Sequence, residues 1–138
     1  MTGDLGAGKT HFTKGIGASF GLAADRIVSP TFTIVCEYRG GSVPLFHMDI
    51  YRLGGFEELL DIGFEEYASE GVCVIEWAEN APELFDLEAR IFSVKITRTE
   101  CRDEAPDAYG DEDNAFDLSD AADNGERLIE IKCLREGN

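Results

Sequence analysis

Apolar residues recur every fourth position near the start of the chain. Phe12, Ile16 and Phe20 would line one face of a helix over 11–21. Gly15 and Gly17 lower helix propensity there and point to close packing against a sheet, and Gly21 suits a helix end. Ser29-Pro30-Thr31 interrupts. From Phe32 to Tyr38 the pattern changes to the period of a strand, with Phe32, Ile34, Cys36 and Tyr38 facing one way and Thr33, Val35 and Glu37 the other. Arg39-Gly40-Gly41-Ser42 is a turn signal, so a hairpin is predicted with its returning strand over residues 44–51. On that strand Phe46, Met48 and Ile50 share one face, and His47, Asp49 and Tyr51 the other.

A second helical stretch is predicted from Phe56 to Ala68. Gly63 breaks it, with Phe56, Leu59 and Leu60 before the break and Phe64 and Tyr67 after it. Val72-Cys73-Val74-Ile75 then forms a continuous apolar run ending in Glu76 and Trp77, which reads as a parallel strand buried on both faces. Pro82 and residues 83–89 make a short connection. Residues 90–97 alternate again, and Leu128, Ile129, Ile131 and Cys133 restore strand character over 127–134. These last two segments predict a terminal antiparallel hairpin. Its tip, residues 99–126, is acidic and poor in large apolar groups, the composition of a disordered loop.

The length of 138 residues suits one domain, 1–138, with a core of its own. No apolar run approaches membrane-spanning length and no signal peptide precedes the first glycine, so a cytoplasmic protein without membrane contact is expected. Cys36, Cys73, Cys101 and Cys133 form no C-x-x-C pair; Cys36 and Cys73, in apolar strands, read as small buried residues. The net charge of −16 is concentrated, with −10 of it in residues 100–126. Phosphate contacts need clustered Lys and Arg, so this composition disfavours direct binding of nucleic acid.

The chemistry is announced by Gly3-Asp4-Leu5-Gly6-Ala7-Gly8-Lys9-Thr10, which fits the P-loop pattern Gly-x-x-x-x-Gly-Lys-[Ser/Thr]. Its glycines allow a tight turn with N–H groups facing a phosphate. Lys9 is placed to reach the β- and γ-phosphates, and the Thr10 hydroxyl to ligate Mg²⁺. The helix that follows adds its positive end. Two acids stand late in strands, where α/β sheets bind ligands. Glu76 occupies the place of a magnesium-side carboxylate; Asp49 reads equally as a functional acid or as part of a solvated strand face.

Five blocks, in this order and at these spacings, resemble the TsaE (YjeE) family: the loop at 3–10, Ser-Pro-Thr-Phe at 29–32, Glu37-Tyr38, His47-Met48-Asp49-Ile50-Tyr51-Arg52-Leu53, and Ile75-Glu76-Trp77. The resemblance covers residues 3–97. It implies a P-loop NTPase-like three-layer α/β sandwich, a mixed sheet flanked by helices, and a Mg²⁺-dependent ATPase used in making threonylcarbamoyladenosine next to the anticodon of tRNA. On matching positions Leu5, Gly6, Ala7, Gly8, Lys9 and Thr10 bind the triphosphate, and Thr10 and Glu76 hold Mg²⁺. Asp49 faces the nucleotide and orients the attacking water, Thr31 resembles a switch threonine near the γ-phosphate, and Trp77 lines the same region. The implied partners are TsaD-like and TsaB-like proteins, with tRNA met only through the complex.

Family members have a further segment before the loop, including the strand that feeds it, whereas only Met1 and Thr2 precede Gly3 here. The expectation is therefore a fold lacking its N-terminal strand or strands, with an upstream segment in the natural protein. Two other functions fit a P-loop on a small α/β domain. A small-molecule kinase needs mobile arginines over the transferred phosphate, and Arg39, Arg52, Arg90, Arg98 and Arg102 show no cluster in the sequence. A non-enzymatic interaction module with a decayed nucleotide site is the other.

Overall fold

Helix α1 (Lys9–Ser19) starts directly at the end of the glycine loop in this computed structural model, which describes residues 1–99 and 125–135. Phe12, Ile16 and Phe20 pack against Ala7, Ile27, Leu45, Val74, Val94 and Ile96, as their spacing predicts. Gly17 is demanded by that packing, since a Cβ there would lie 2.1 Å from Ile27 Cδ1. Gly15 is not: a Cβ would meet nothing within 4 Å.

Strand β1 (Val35–Tyr38) is shorter than the alternation from Phe32 predicts. The chain turns instead over residues 31–33, where Ile34 N–H donates to Pro30 O at 2.7 Å and Val35 N–H to Thr33 O at 2.8 Å. Phe32 consequently lies 83% exposed, not on a strand face. The turn has a cost, because Ile34 adopts φ 66, a conformation strained for a β-branched residue.

Strand β2 (Leu45–Asp49) is buried at every position and has partners on both edges. It pairs antiparallel with β1, Met48 opposite Val35, and parallel with β3 (Val72–Glu76), Asp49 opposite Glu76. A parallel pair needs a crossover. Here it consists of α2 (Phe56–Asp61) and α3 (Phe64–Glu70), separated at Gly63 as the sequence predicts. Phe46, Met48 and Ile50 pack with Leu59 and Phe64 of these helices, whereas Leu45 joins the cluster under α1. This is an α/β fold with a mixed sheet and helices on both of its faces.

The sheet does not run on into the terminal hairpin. Strands β4 (Ile91–Arg98) and β5 (Arg127–Arg135) pair antiparallel, as predicted, but form a separate two-stranded sheet. Met1 and Thr2 join the two sheets. The Met1 amine donates to Ile75 O, Thr2 N–H to Val94 O at 2.9 Å, and Ile96 N–H to Thr2 O at 3.0 Å. Beyond that link a cavity of about 510 Å³ separates residues 72–75 from 90–94. The apolar run of β3 is therefore only partly buried: Val72 is exposed, and Cys73 and Ile75 are half-buried. Cys36 is half-buried too, so neither cysteine is the fully buried residue expected. Most of the acidic stretch 99–126 lies outside the described residues. Among those described, no helix is long and apolar enough to cross a membrane.

Candidate functional site

The site is built where α1 begins and where β2 and β3 end. Gly6 and Gly8 take φ 72 and φ 106, left-handed conformations that turn the loop into the helix. Phe12 N–H is bonded to Gly8 O at 2.9 Å, which leaves the N–H groups of Lys9, Thr10 and His11 at the start of α1 without a partner among the described residues. No acidic residue occupies the first turn of α1 itself. Leu5 stands at the loop crest, 84% exposed, while Ala7 is buried. Lys9 is buried as well. Its Nζ donates to Gly3 O at 2.7 Å and Asp4 O at 3.0 Å, and lies 4.0 Å from the centre of the Trp77 ring.

Parallel pairing places Asp49 and Glu76 side by side at the carboxyl ends of their strands. Both are buried, so Asp49 does not belong to a solvated strand face. A buried carboxylate requires donors, and the chain supplies them. Glu76 Oε1 accepts from Thr10 Oγ1 at 3.0 Å and pairs with His47 Nε2 at 2.7 Å. For the carboxylate to accept, His47 Nε2 must carry the hydrogen. Neither bond uses Oε2. The Thr13 hydroxyl donates to Lys9 O at 3.1 Å, tying the first turn of α1 to the same region.

Asp49 is held from its own side. Thr31 Oγ1 donates to Oδ2 at 2.8 Å and Tyr51 N–H to Oδ1 at 3.0 Å. The turn that shortens β1 thus delivers Thr31 to Asp49, and Asp49 N–H returns a bond to Ile34 O at 2.9 Å. Trp77, at φ 63, directly follows Glu76 and packs its ring 4.8 Å from that of Tyr51. Among the described residues, Ile34 and Trp77 are the two non-glycine residues at positive φ. Each such residue costs roughly 1–3 kcal/mol, and both strained positions lie against the two carboxylates.

Thr10, Glu76, Lys9 and Trp77 are therefore linked around the loop, and Thr31 and Asp49 form a second linked pair on the adjoining strand end. Alternation places His47 on the Asp49 face but gives it no partner. Only the β2–β3 register brings it to Glu76. Arg98 and Arg127 were missed for the same reason. Arg98 reads as unclustered along the chain, but β4–β5 pairing puts it opposite Arg127. Arg98 Nη2 donates to Gly6 O at 2.8 Å and Arg127 Nε to Ala7 O at 3.1 Å. A cavity of about 840 Å³ opens beside the loop, lined by Gly8, His11, Phe12, Ile96 and Ile129 among others.

The chemistry on offer is anion recognition by main-chain N–H groups and Lys9, next to hard oxygen donors from a hydroxyl and two acids. Together these features define an α/β protein whose P-loop sequence opens a helix facing paired strand-end carboxylates. The family model described as threonylcarbamoyl adenosine biosynthesis protein TsaE matches residues 1–105, and the chain belongs to that family. Curated relatives carry the name tRNA threonylcarbamoyladenosine biosynthesis protein TsaE. That of Bacillus subtilis is 54% identical over 80 residues, covering 56% of this chain and 48% of its own length. That of Treponema pallidum is 48% identical over 80 residues, covering 57% and 58%. The crystal structure of Bacillus subtilis YdiB superposes with a TM-score of 0.54 at 41% identity, covering 72% of this chain and 57% of that one. The chain spans about half the length of the curated relatives it matches.

Proposed function

We propose that this chain is a Mg²⁺-dependent ATPase with a P-loop NTPase-like core, working in the cytoplasm within the assembly that makes threonylcarbamoyladenosine in tRNA. The observation that carries the reading is the Thr10–Glu76 hydrogen bond of 3.0 Å, which joins the last residue of the phosphate loop to a strand-end carboxylate. A hydroxyl and a carboxylate at that separation are the sparse oxygen set that suits Mg²⁺, an ion that keeps waters and phosphate oxygens as its other ligands. The residues fit the group. Thr10 and Glu76 would hold the ion, and Leu5 to Thr10 would bind the triphosphate. When bound, Mg²⁺ supplies charge neutralisation at the β- and γ-phosphate oxygens.

The chain's own groups divide the remaining work. Lys9 brings a buried positive charge to the phosphates. His47 orients Glu76, so that Oε2 stays available. Asp49 accepts a hydrogen bond from the attacking water and turns its lone pair toward the γ-phosphate, with Thr31 fixing the carboxylate that does so. Trp77 walls the site beside Lys9 and excludes bulk water. The cavity beside His11 and Phe12 has the room a nucleoside needs. The partners proposed are TsaD-like and TsaB-like proteins. A net charge of −16 favours contact with tRNA through them and not directly. Arg98 and Arg127 bond to loop carbonyls, an arrangement that argues against their sweeping over a transferred phosphate as in a kinase.

Phosphate release from ATP, followed with and without Mg²⁺ and the two partner proteins, tests the reading. Mg²⁺-dependent hydrolysis that Glu76→Gln removes is the expected result. ATP binding without hydrolysis in every combination would reduce the chain to an interaction module.

A further inference from the structure

The phosphate loop is held by two arginines of the terminal hairpin. Arg98 and Arg127 are opposite one another across β4 and β5, and their guanidinium groups donate to the adjacent carbonyls Gly6 O and Ala7 O. A planar trans peptide points its N–H away from its C=O. Holding Ala7 O against Arg127 therefore aims the Gly8 N–H to the side of the loop opposite Arg127. Holding Gly6 O against Arg98 likewise sets the Ala7 N–H, which donates to Asp4 O at 3.0 Å and closes the turn. These peptides flank Gly6 and Gly8, where the absence of a Cβ leaves rotation cheap. A flipped Ala7–Gly8 peptide would present a carbonyl oxygen to the phosphates.

We propose that Arg98 and Arg127 are positioning residues, which keep the phosphate loop in its anion-binding form by fixing the Gly6 and Ala7 carbonyls outward. The inference rests on the ATP reading above and concerns residues of a separate sheet, of which Arg127 also lines the cavity beside the loop. It makes the hairpin a working part of nucleotide binding: the same strand pair that buries Val94 and Ile96 also sets the direction of the loop's donors.

The test uses the whole chain, ATP with Mg²⁺ as the probe, and the Gly8 amide resonance as a local readout. Wild type should bind, and its Gly8 amide should shift on binding. Arg127→Met keeps the apolar stem but removes the donors. It should weaken ATP about tenfold, the value of one hydrogen bond, and abolish the Gly8 shift while the hairpin resonances of Ile96 and Ile129 stay in place. Arg98→Met should also weaken ATP, by loosening the Ala7 N–H bond to Asp4 O that closes the turn. Arg127→Gln restores one uncharged donor and should recover most of the affinity. Rescue by Arg127→Lys but not by Arg127→Gln would overturn positioning in favour of a simple charge effect. Unchanged affinity in both methionine variants, with Lys9→Ala still abolishing binding, would overturn the proposal while leaving the ATP reading intact. A wild type that binds no ATP would remove both.

Discussion

Asp49 and Glu76 are direct neighbours across the parallel β2–β3 pair, and each is the last residue of its strand. Their neutral isosteres should separate binding from chemistry. Asp49→Asn and Glu76→Gln are expected to retain ATP and to lower turnover by about a hundredfold, the range of a lost transition-state interaction. Excess Mg²⁺ should partly restore Glu76→Gln and leave Asp49→Asn unchanged. Steady-state hydrolysis with the partner proteins present is the measurement. Turnover at the wild-type level in either variant would remove that acid from the mechanism.

Lys9 and Thr10 should fail differently. In the proposed site the Lys9 ammonium is a point charge for phosphate, so Lys9→Ala is expected to weaken nucleotide binding itself. Thr10→Ala should leave much of the affinity and lose its dependence on Mg²⁺, because the proposed metal ligand has gone. Calorimetric titration with and without the metal distinguishes the two. Equal, metal-independent losses would contradict both roles.

His47 makes a stability prediction. The ring is fully buried, with Nε2 on Glu76. His47→Leu keeps an apolar body but leaves a buried carboxylate short of a donor, at a cost of roughly 1–3 kcal/mol. The unfolding midpoint in urea should fall accordingly. His47→Gln, which can still offer an N–H, should recover part of it. A midpoint unchanged in His47→Leu would show that Thr10 alone satisfies Glu76.

Burial raises the Cys73 thiol from 9.0 to about 12. At pH 8 it should therefore react with iodoacetamide far more slowly than Cys133, which is exposed. The linkage has a definite sign. Between pH 9 and 12 the unfolded chain releases this proton and the folded chain keeps it, so stability should fall as pH rises through that window. Thermal unfolding from pH 8 to 10.5 should show the decline, and Cys73→Ala should flatten it.

Much of the site was legible because its signals are local. The loop, the helix behind it, the break at Gly63 and the strand-end position of Glu76 each follow from residues close in sequence. The remainder depends on pairing. That His47 meets Glu76, or Arg98 meets Arg127, is settled by strand register, which periodicity does not specify. The alternation at Phe32 and Ile34 misled because Pro30 and Thr33 offer carbonyls that close a turn, and the bond from Thr31 to Asp49 overrides β propensity there. The apolar run of β3 predicted full burial, but burial depends on what lies along its far edge, and there Met1 is followed by a cavity.

The contact between Gly17 and Ile27 seats the far end of α1. The helix is about 16 Å long. Gly17 is seated on Ile27 near one end, and Lys9 and Thr10 occupy the other. A side chain at position 17 would have to displace the Ile27 side chain and would press on Leu45 of β2, whose Cδ2 lies 3.4 Å from that point. Repacking at position 17 would therefore act on the same helix that carries Lys9 and Thr10 at its other end.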